Sequence, residues 1–414
     1  MPVIVDDILL MFWVLSWILI GTIYLHSVGL SFFGARRWKP RSDHAPEKRF
    51  AVLVAAHNEA EVIGALLQDL AGQEYPCSLY DVFVIADNCS DRTVEVARGV
   101  SGVRVFVKTG PNRGKGPAMR AGIERILKDA ETGDGKVYDA FTFFDADNRV
   151  SLNFLQKMNT ELCSGNRFIQ GYLGTKNPFD NWVTRVIYQS YAMTNRLWQL
   201  GKRRTGLPSQ CGGTGFCIDA DLLAELGWPM TTITEDLEMV CVLAQRGVFP
   251  VWSPEAVVYD EKPRSVRVAM RQRIRWMRGH FTNLFRFFIP LLRTGIRKRD
   301  VRVLDCALYL LYPLSIFAVG IQSVLWLLGA FIIPHLTVLH PGPLFFLILA
   351  MATYYPILGI YLETKSLREL LYFPLLLVFN WTWVLACFVA LFTFRNRTWY
   401  HTPHGSTLDD GIHL

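Results

Sequence analysis

The sequence has few charged residues and lacks several patterns typical of well-known protein classes. Only 19% of its 414 residues are charged and 51% are hydrophobic, which excludes intrinsic disorder. The eight cysteines form no CxxC pair and no metal-ligand spacing, so we expect reduced thiols and neither a disulfide scaffold nor a zinc site. The hydrophobic residues are concentrated in long runs, which excludes a purely soluble protein.

Two nucleotide-binding patterns are also missing. No GxGxxG follows the first predicted strand, and no GxxxxGK[ST] occurs anywhere, which argues against dinucleotide oxidoreductases and P-loop ATPases. The net charge is +7. The basic residues of the chain cluster beside long apolar runs, so we expect membrane lipids as partners. They do not alternate with aromatic residues in a soluble domain, so we expect no nucleic acid as a partner.

The apolar runs predict a multi-pass protein of the cell membrane. Residues 8–33 carry no formal charge and span about 39 Å as a helix, enough to cross a bilayer. Basic residues at 36–41 place the chain from residue 36 onward in the cytosol by the positive-inside rule. Residues 306–362 are uncharged and too long for one helix, so they predict two crossings split near 335–343.

The last apolar run, 370–394, is interrupted by Pro374 and by the polar stretch 380–382. We predict a broken or re-entrant segment that returns to the cytosol, with a simple crossing as the alternative. The predicted organisation is an N-terminal transmembrane helix, a cytosolic domain, amphipathic interface helices, a C-terminal membrane region and a cytosolic tail, at 1–35, 50–263, 264–295, 304–394 and 395–414.

The cytosolic domain alternates strands with helices. The predicted strands are apolar and short, at 50–56, 82–86, 103–107 and 140–144. The predicted helices follow them, at 59–70, 93–99, 114–131 and 151–164. This alternation predicts an α/β fold with a parallel sheet covered by helices on both faces.

Polar residues follow three of these strands, where ligands of such sheets collect. They are His57, Asn58 and Glu59 after the first strand, Asp87 and Asn88 after the second, and Asp145 and Asp147 after the fourth. The sequence therefore predicts a nucleotide site at this edge of the sheet.

Each acidic or basic candidate has a structural alternative. Asp145 and Asp147 form a DxD that can hold Mg²⁺ or Mn²⁺ bridging a nucleotide diphosphate, or simply cap a helix. Asp87 can bind a base or ribose, or form an Asx-turn. Lys115 can neutralise phosphate charge, or lie on the surface. Asp236, within the TED sequence at 234–236, can act as a general base or as a first-turn acid of a helix.

A basic amphipathic helix is predicted over 264–288, with apolar residues spaced by three and four. Gln272, Arg275 and Trp276 lie close together on the face opposite Ile274. Arginine can clamp a diphosphate and tryptophan can stack on a sugar ring. The alternative is an ordinary interfacial anchor.

Taken together and in this order, the motifs resemble the family 2 inverting glycosyltransferases. They are HNE at 57–59, Asp87, NRGK at 112–115, DAD at 145–147, GGTGF at 212–216, TED at 234–236 and QRIRW at 272–276. QxxRW after TED is typical of the processive membrane-embedded branch, which includes cellulose, chitin, hyaluronan and poly-N-acetylglucosamine synthases. Residues 392–402 are similar to the tail of bacterial hyaluronan synthases.

The chain departs from this branch at two places. Ala86 stands where a first aspartate is common, and the stretch 210–216 lacks two aromatics of cellulose synthases. Cellulose is therefore not the favoured product.

The resemblance implies a GT-A-like fold and a UDP-sugar donor. It assigns the catalytic base to Asp236 and the divalent cation, Mg²⁺ or Mn²⁺, to Asp145 and Asp147. Donor binding falls to His57, Glu59, Asp87, Lys115, Asp145 and Arg275. The acceptor and diphosphate would contact Gly213, Thr214, Glu235, Gln272 and Trp276. Trp399 would gate the donor pocket.

The expected function is extension of a β-linked polysaccharide, containing N-acetylglucosamine or glucose, at the cytosolic face of the membrane with coupled secretion. The first alternative is a single transfer to a lipid acceptor. A transporter or scaffold is disfavoured, because the motifs are all present and the apolar runs lack acidic and basic residues. The chain has only three or four apolar segments, which is few for a complete polymer channel. A homo-oligomer or an accessory subunit is therefore a further possible partner.

Overall fold

The computed structural model describes residues 2–133, 135–331 and 342–396. The chain divides into two compact units. The sheet unit contains 38–184 and 208–264, and the helical unit contains 2–37, 185–207 and 265–396. Because residues 185–207 belong to the helical unit, the domain predicted as continuous over 50–263 is interrupted.

The sheet unit is built on eight strands. They are β1 Phe50–Ala56, β2 Tyr80–Asp87, β3 Val103–Lys108, β4 Ala140–Asp145, β5 Arg149–Val150, β6 Phe168–Thr175, β7 Phe216–Asp219 and β8 Val251–Asp260. Their order is β3-β2-β1-β4-β7-β6-β8-β5. The first four strands are parallel, whereas β7 is antiparallel to β4 and β6. The prediction of a mostly parallel sheet is confirmed, together with its first four strands.

Helices cover both faces of the parallel strands. Those of the sheet unit are α2 Ile63–Ala71, α3 Thr93–Arg98, α4 Lys115–Glu131, α5 Phe154–Cys163, α8 Ala220–Leu226 and α9 Glu235–Gln245. Val52 and Val54 of β1 join one buried cluster with α2 and α5. Leu53 faces the other side, where α4 approaches so closely that a Cβ on Gly122 would lie 3.4 Å from Leu53. Alternation along β1 therefore buries side chains on both of its faces.

The helical unit is built from helices that range from six to 33 residues in length. They are α1 Pro2–Gly34, α7 Leu200–Thr205, α10 Val266–Lys298, α11 Val301–Leu310, α12 Tyr312–Phe331, α13 Gly342–Thr364 and α14 Phe373–Thr393. Helix α6, Trp182–Met193, runs through a π-helical turn at Thr194–Gln199 into α7. The amphipathic helix predicted to end near 288 extends to Lys298 as α10.

Glycines explain why 185–207 join the helical unit. A Cβ on Gly201 of α7 would lie 2.6 Å from the Leu30 carbonyl oxygen of α1, and one on Gly34 would lie 2.5 Å from the carbonyl oxygen of Leu197. Only glycine permits such close backbone approach. The N-terminal helix and this inserted segment therefore pack backbone to backbone.

Two described helices are long and apolar enough to cross a membrane, Leu10–Gly34 and Leu367–Thr393. A third candidate is the bent pair Val301–Leu310 and Tyr312–Leu325, whose axes differ by 44°. The split predicted near 335–343 falls largely outside the described residues.

Helix α14 corrects one expectation. It continues through 380–382, so the interruption predicted there is wrong. Pro374 lies in the first turn, where its missing N–H breaks no helical bond. The Thr382 hydroxyl donates to the Phe379 carbonyl within the same helix. The return of this segment to the cytosol stays a prediction.

Charged side chains of the helical unit are buried in pairs. Lys202 of α7 donates to Asp305 of α11 at 2.6 Å, and both side chains are nearly inaccessible. His26 of α1 contacts the other carboxylate oxygen of Asp305 at 3.0 Å. The Lys202 ammonium also lies 4.6 Å from the Trp198 ring centroid. This cluster links α1, α7 and α11. Asp305 lies just before the uncharged run 306–362, but it is part of the bent candidate span.

Candidate active site

The predicted strand-end residues of the sheet unit meet at one edge. In the parallel register Ala56 of β1 lies beside Ala86 of β2, and Ala55 lies beside Asp145 of β4. His57, Asp87 and Asp145 therefore emerge from neighbouring strands on the same side of the sheet. The strand-end rule brings these residues together as expected.

Lys115 is the centre of this edge. It is the first residue of α4, and its ammonium lies 2.6 Å from Asp145 Oδ1 and 3.8 Å from Glu235 Oε1. It also donates to the Gly213 carbonyl at 2.6 Å. Burial disfavours the ammonium, but Asp145 and Glu235 outweigh it and raise the pKa of Lys115. One cation thus links the DxD, the glycine-rich loop and the TED sequence.

Asp236 lies next to the glycine-rich loop. A Cβ on Gly213 would lie 3.3 Å from Asp236 Oδ2 and 3.7 Å from the Lys115 ammonium. Gly213 has φ of +80°, which a larger residue would adopt only under strain. Asp236 Oδ1 accepts from the Leu237 backbone N–H at 2.8 Å, in the first turn of α9. A side chain at position 213 would therefore crowd the carboxylate of the predicted base.

Thr214, the next residue of the glycine-rich loop, contacts the DxD turn. Its hydroxyl oxygen accepts from the Asp145 backbone N–H at 3.0 Å and bonds to the Asn148 side chain. The residue is buried. Its hydroxyl is therefore committed to fixing the DxD turn, while the predicted contact with the acceptor stays a prediction.

Carboxylates crowd the DxD turn. Burial and the charges of Asp145 and Asp260 raise the pKa of Asp147 to about 7. Burial, with Asp147 and Asp145, raises the pKa of Glu59 to about 8. The Lys176 ammonium lies 3.5 Å from Glu261 and 3.4 Å from the Asp147 carbonyl oxygen. These shifts indicate more negative charge than the nearby lysines offset.

The donor set suits a hard divalent cation. The DxD offers two carboxylates, and the raised pKa values of Asp147 and Glu59 indicate that added positive charge would stabilise the ionised forms of these two side chains. Among the described residues, no group of three or more histidine, cysteine, aspartate or glutamate side chains is arranged to hold a metal. Magnesium sites in other proteins often use one or two protein carboxylates and are completed by substrate phosphates.

Asp87 is buried and its carboxylate is already bonded. It accepts from Lys108 Nζ at 2.8 Å and from the Gly114 backbone N–H at 2.7 Å. Its backbone carbonyl lies 2.6 Å from His57 Nδ1. Asp87 therefore holds the loop that leads to Lys115, and its predicted contact with the nucleotide base stays a prediction.

Lys108 is a residue that the sequence reading missed. It is the last residue of β3, so the rule that singled out the ends of the other strands applies to it as well. The side chain bridges Asp87 and the carbonyl of Asn112. Lys176, beside Asp147, had no comparable signal in the sequence.

The QxxRW residues lie on α10 of the helical unit. Gln272, Arg275 and Trp276 are each partly exposed. The Trp276 ring stacks on Trp383 of α14, with ring centroids 6.1 Å apart and planes inclined by 22°. Their predicted contacts with the diphosphate and acceptor stay predictions. Trp399 lies outside the described residues.

Sequence comparisons agree with this geometry. A family model described as glycosyltransferase like family 2 matches residues 46–279, more than half of the chain. The probable glycosyltransferase YdaM of Bacillus subtilis is 26% identical over 73% of this chain and 71% of its own. The beta-monoglucosyldiacylglycerol synthase of Synechocystis is 24% identical over 98% and 87%. The poly-beta-1,6-N-acetyl-D-glucosamine synthase of Staphylococcus epidermidis is 25% identical over 67% and 65%.

A solved structure shares the fold. The mannosyltransferase PcManGT from Pyrobaculum calidifontis, in complex with GDP-Man and Mn²⁺, aligns with a TM-score of 0.57 at 17% identity. The alignment covers 86% of this chain and 98% of that chain. The expected GT-A-like fold is confirmed. The chain belongs to the family 2 glycosyltransferases and is a transferase.

Proposed function

We propose that this protein is an inverting glycosyltransferase that uses a UDP-sugar at the cytosolic face of the cell membrane to extend a β-linked polysaccharide. The observation that carries the proposal is the convergence on Lys115. Its ammonium lies within 3.8 Å of Asp145, the Gly213 carbonyl and Glu235, and a Cβ on Gly213 would lie 3.3 Å from Asp236 Oδ2. Groups suited to a diphosphate and to a hydroxyl nucleophile thus share one edge of the sheet.

The proposed reaction is a single displacement. The acceptor hydroxyl oxygen attacks the anomeric carbon of the donor, and the bond from that carbon to the diphosphate oxygen breaks on the opposite face. Asp236 takes the hydroxyl proton as general base. The diphosphate leaves with the bonding electrons, and the anomeric configuration inverts. No covalent sugar–enzyme intermediate is required.

Charge on the leaving diphosphate needs positive partners. Lys115 stands beside the DxD and can donate to a phosphate oxygen. Asp145 and Asp147 would hold Mg²⁺ or Mn²⁺, which would offset phosphate charge when bound. The complex of PcManGT with GDP-Man and Mn²⁺ is in keeping with this assignment.

Gly213 shapes the acceptor side. Its left-handed backbone and missing side chain leave room beside Asp236 Oδ2, so an acceptor hydroxyl can approach the carboxylate closely. Glu235 binds Lys115 and thereby orients the start of α9. In this proposal Gln272, Arg275 and Trp276 support the diphosphate and the acceptor end, and Trp399 closes over the donor.

A lipid acceptor is the second candidate. The beta-monoglucosyldiacylglycerol synthase matches 98% of the chain, whereas the poly-N-acetylglucosamine synthase matches 67%. A single transfer to a membrane lipid uses the same donor chemistry and needs no polymer channel. The helical unit suits either acceptor, because its apolar helices can border a bilayer.

The deciding experiment presents purified protein in native-lipid nanodiscs with a panel of UDP-sugars and Mg²⁺ or Mn²⁺. UDP release identifies the donor, and product size distinguishes the acceptors. A polymer of many sugars supports the polysaccharide proposal, and one sugar per extracted lipid supports the second candidate. Absence of UDP release with every donor would contradict both and revive the transporter or scaffold hypothesis.

A further inference from the structure

Arg273 is a buried arginine inside the QRIRW sequence. Its side chain is 4% exposed, although its neighbours Gln272 and Ile274 are partly exposed. Guanidinium groups are rarely buried without strong partners. This residue is not one of the three that QxxRW specifies, so its burial calls for an explanation of its own.

Arg273 contacts residues of α14. Its Nη1 donates to the Phe379 backbone carbonyl at 3.1 Å and to the Thr382 hydroxyl. The guanidinium carbon lies 4.1 Å from the Phe379 ring centroid and 4.3 Å from that of Trp383. Arg273 is thus held by two hydrogen bonds and two cation–π contacts.

Trp383 connects this clamp to the QxxRW motif. One contact of its ring is with Arg273, and another is the stack on Trp276. Trp383 therefore lies between the buried guanidinium of Arg273 and Trp276, the tryptophan of the QxxRW motif. A shift of Trp383 would remove the surface on which Trp276 rests.

We propose that Arg273 is a positioning residue that acts through Trp383 to fix the orientation of Trp276, and with it the QxxRW face of α10. The inference rests on the proposed function, in which Trp276 supports the acceptor end. Arg273 does not touch substrate. It sets the geometry of a residue that does.

Other contacts keep α10 and α14 together without Arg273. Arg278 Nε donates to the Thr393 hydroxyl at 2.9 Å, and the Thr282 hydroxyl contacts the Phe394 carbonyl at 3.4 Å. The rings of Phe285 and Phe394 pack 5.0 Å apart. Loss of Arg273 should therefore disturb the motif before it separates the helices.

The test combines a spectroscopic signal with kinetics on the full chain. Stacked indoles give an exciton couplet in far-ultraviolet circular dichroism, and the difference between wild type and Trp276→Phe isolates the couplet of this pair among the twelve tryptophans. Arg273→Met and Arg273→Lys are compared with Arg271→Met, an exposed neighbour on the same helix. Each variant is assayed for sugar transfer and for binding of UDP with Mn²⁺.

We expect both Arg273 variants to lose the couplet and to lower kcat for transfer by about tenfold to 100-fold, the usual effect of a small misplacement in an active site. The affinity for UDP with Mn²⁺ should stay within about twofold of wild type, and Arg271→Met should match wild type throughout. A lysine cannot reproduce the planar fork of arginine, so Arg273→Lys should not rescue transfer.

Two results would overturn the proposal. One is a retained couplet and normal kcat in folded Arg273→Met. The other is a parallel loss of UDP affinity, transfer and thermal stability, which would make Arg273 a folding residue only. If wild type transfers no sugar, the proposed function fails, but the couplet still reports whether Arg273 orients Trp276.

A milder pair of variants covers the case in which Arg273→Met does not fold. Thr382→Val removes one hydrogen-bond partner of Arg273, and Trp383→Phe removes the indole between Arg273 and Trp276. Both should weaken the couplet and lower kcat in the same direction. Normal kcat in both folded variants would equally contradict the proposal.

Discussion

Two clusters of charged residues, one in each unit of the molecule, differ in how they arrange charge. In the sheet unit, burial and the nearby charge of Asp145 raise the pKa of both Glu59 and Asp147. In the helical unit, Lys202 and Asp305 are buried against each other at 2.6 Å. One arrangement keeps like charges together, and the other joins opposite charges.

This difference indicates that the first cluster serves ligand binding and the second serves stability of the fold. Like charges held together cost stability, so such a cluster is expected where a ligand of opposite charge arrives. A buried pair leaves little net charge to attract a ligand, but it penalises any structure in which one partner is lost. We therefore expect substitutions in the sheet unit to change activity, and those at Lys202 to change stability.

Asp236→Asn should have the largest effect on activity. Loss of a general base lowers kcat by about 100-fold to 10,000-fold, while UDP affinity and the thermal midpoint should stay near wild type. UDP release and product formation measure the change, and Asp221→Asn, on the exposed first turn of α8, is the control. Near-normal turnover by Asp236→Asn would remove the base assignment.

Lys202→Met should have the largest effect on stability. It leaves the Asp305 carboxylate buried without its ammonium partner, which costs about 3–5 kcal/mol in comparable pairs. The thermal midpoint in detergent should fall, and it should recover in part when Asp305→Leu is added. Lys298→Met, on the exposed end of α10, should change it little. An unchanged midpoint in Lys202→Met would break the comparison between the units.

Lys115→Met should have a divided effect. UDP affinity should fall about tenfold, because one charge-assisted bond is lost. Mn²⁺ alone should bind more tightly, because the ammonium at 2.6 Å from Asp145 no longer competes for that carboxylate. Titration of free Mn²⁺ by electron paramagnetic resonance measures this without turnover, with Lys128→Met as control. Weaker Mn²⁺ binding would show that Lys115 organises the DxD and does not compete with the cation.

His280 should give the smallest effect. Burial lowers its pKa to about 4, so between pH 6.5 and 4 the unfolded chain binds a proton that the folded protein does not. Stability from this residue is complete above pH 6.5 and is lost as the pH falls, by about 1 kcal/mol between pH 7 and 5.5. His280→Gln should flatten that part of the thermal-midpoint profile. An identical profile in both proteins would contradict the assignment.

Local patterns predicted the first half of the sheet well. Strand β1 is found at the predicted residues, and β2, β3 and β4 lie within two residues of their predicted ends, because short apolar runs bounded by turns are strong signals. The placement of His57, Asp87 and Asp145 followed from the strand order alone. Strands β5 to β8 were not predicted: β5 has two residues, β7 has four, and their pairing depends on distant partners.

Side-chain commitments could not be predicted in the same way. Nothing in the sequence indicates that Asp87 bonds to Lys108, or that the Thr214 hydroxyl bonds to the Asp145 amide. The error at 380–382 has the same origin. Polar residues there suggested a break, but Thr382 bonds within its own helix and also receives Arg273 from another. Tertiary contacts decide such cases.

The single hydroxyl of Thr214 has a consequence for the order of events in turnover. It bonds to both the Asp145 amide and Asn148, so hydrogen bonds join the glycine-rich loop to the DxD turn. A donor that shifts the turn would also reshape the entrance for the nucleophile. We therefore expect the sugar donor to bind before the acceptor in a compulsory order. Thr214→Ser keeps the hydroxyl and should preserve this order. Thr214→Val removes it and should allow the two substrates to bind in random order.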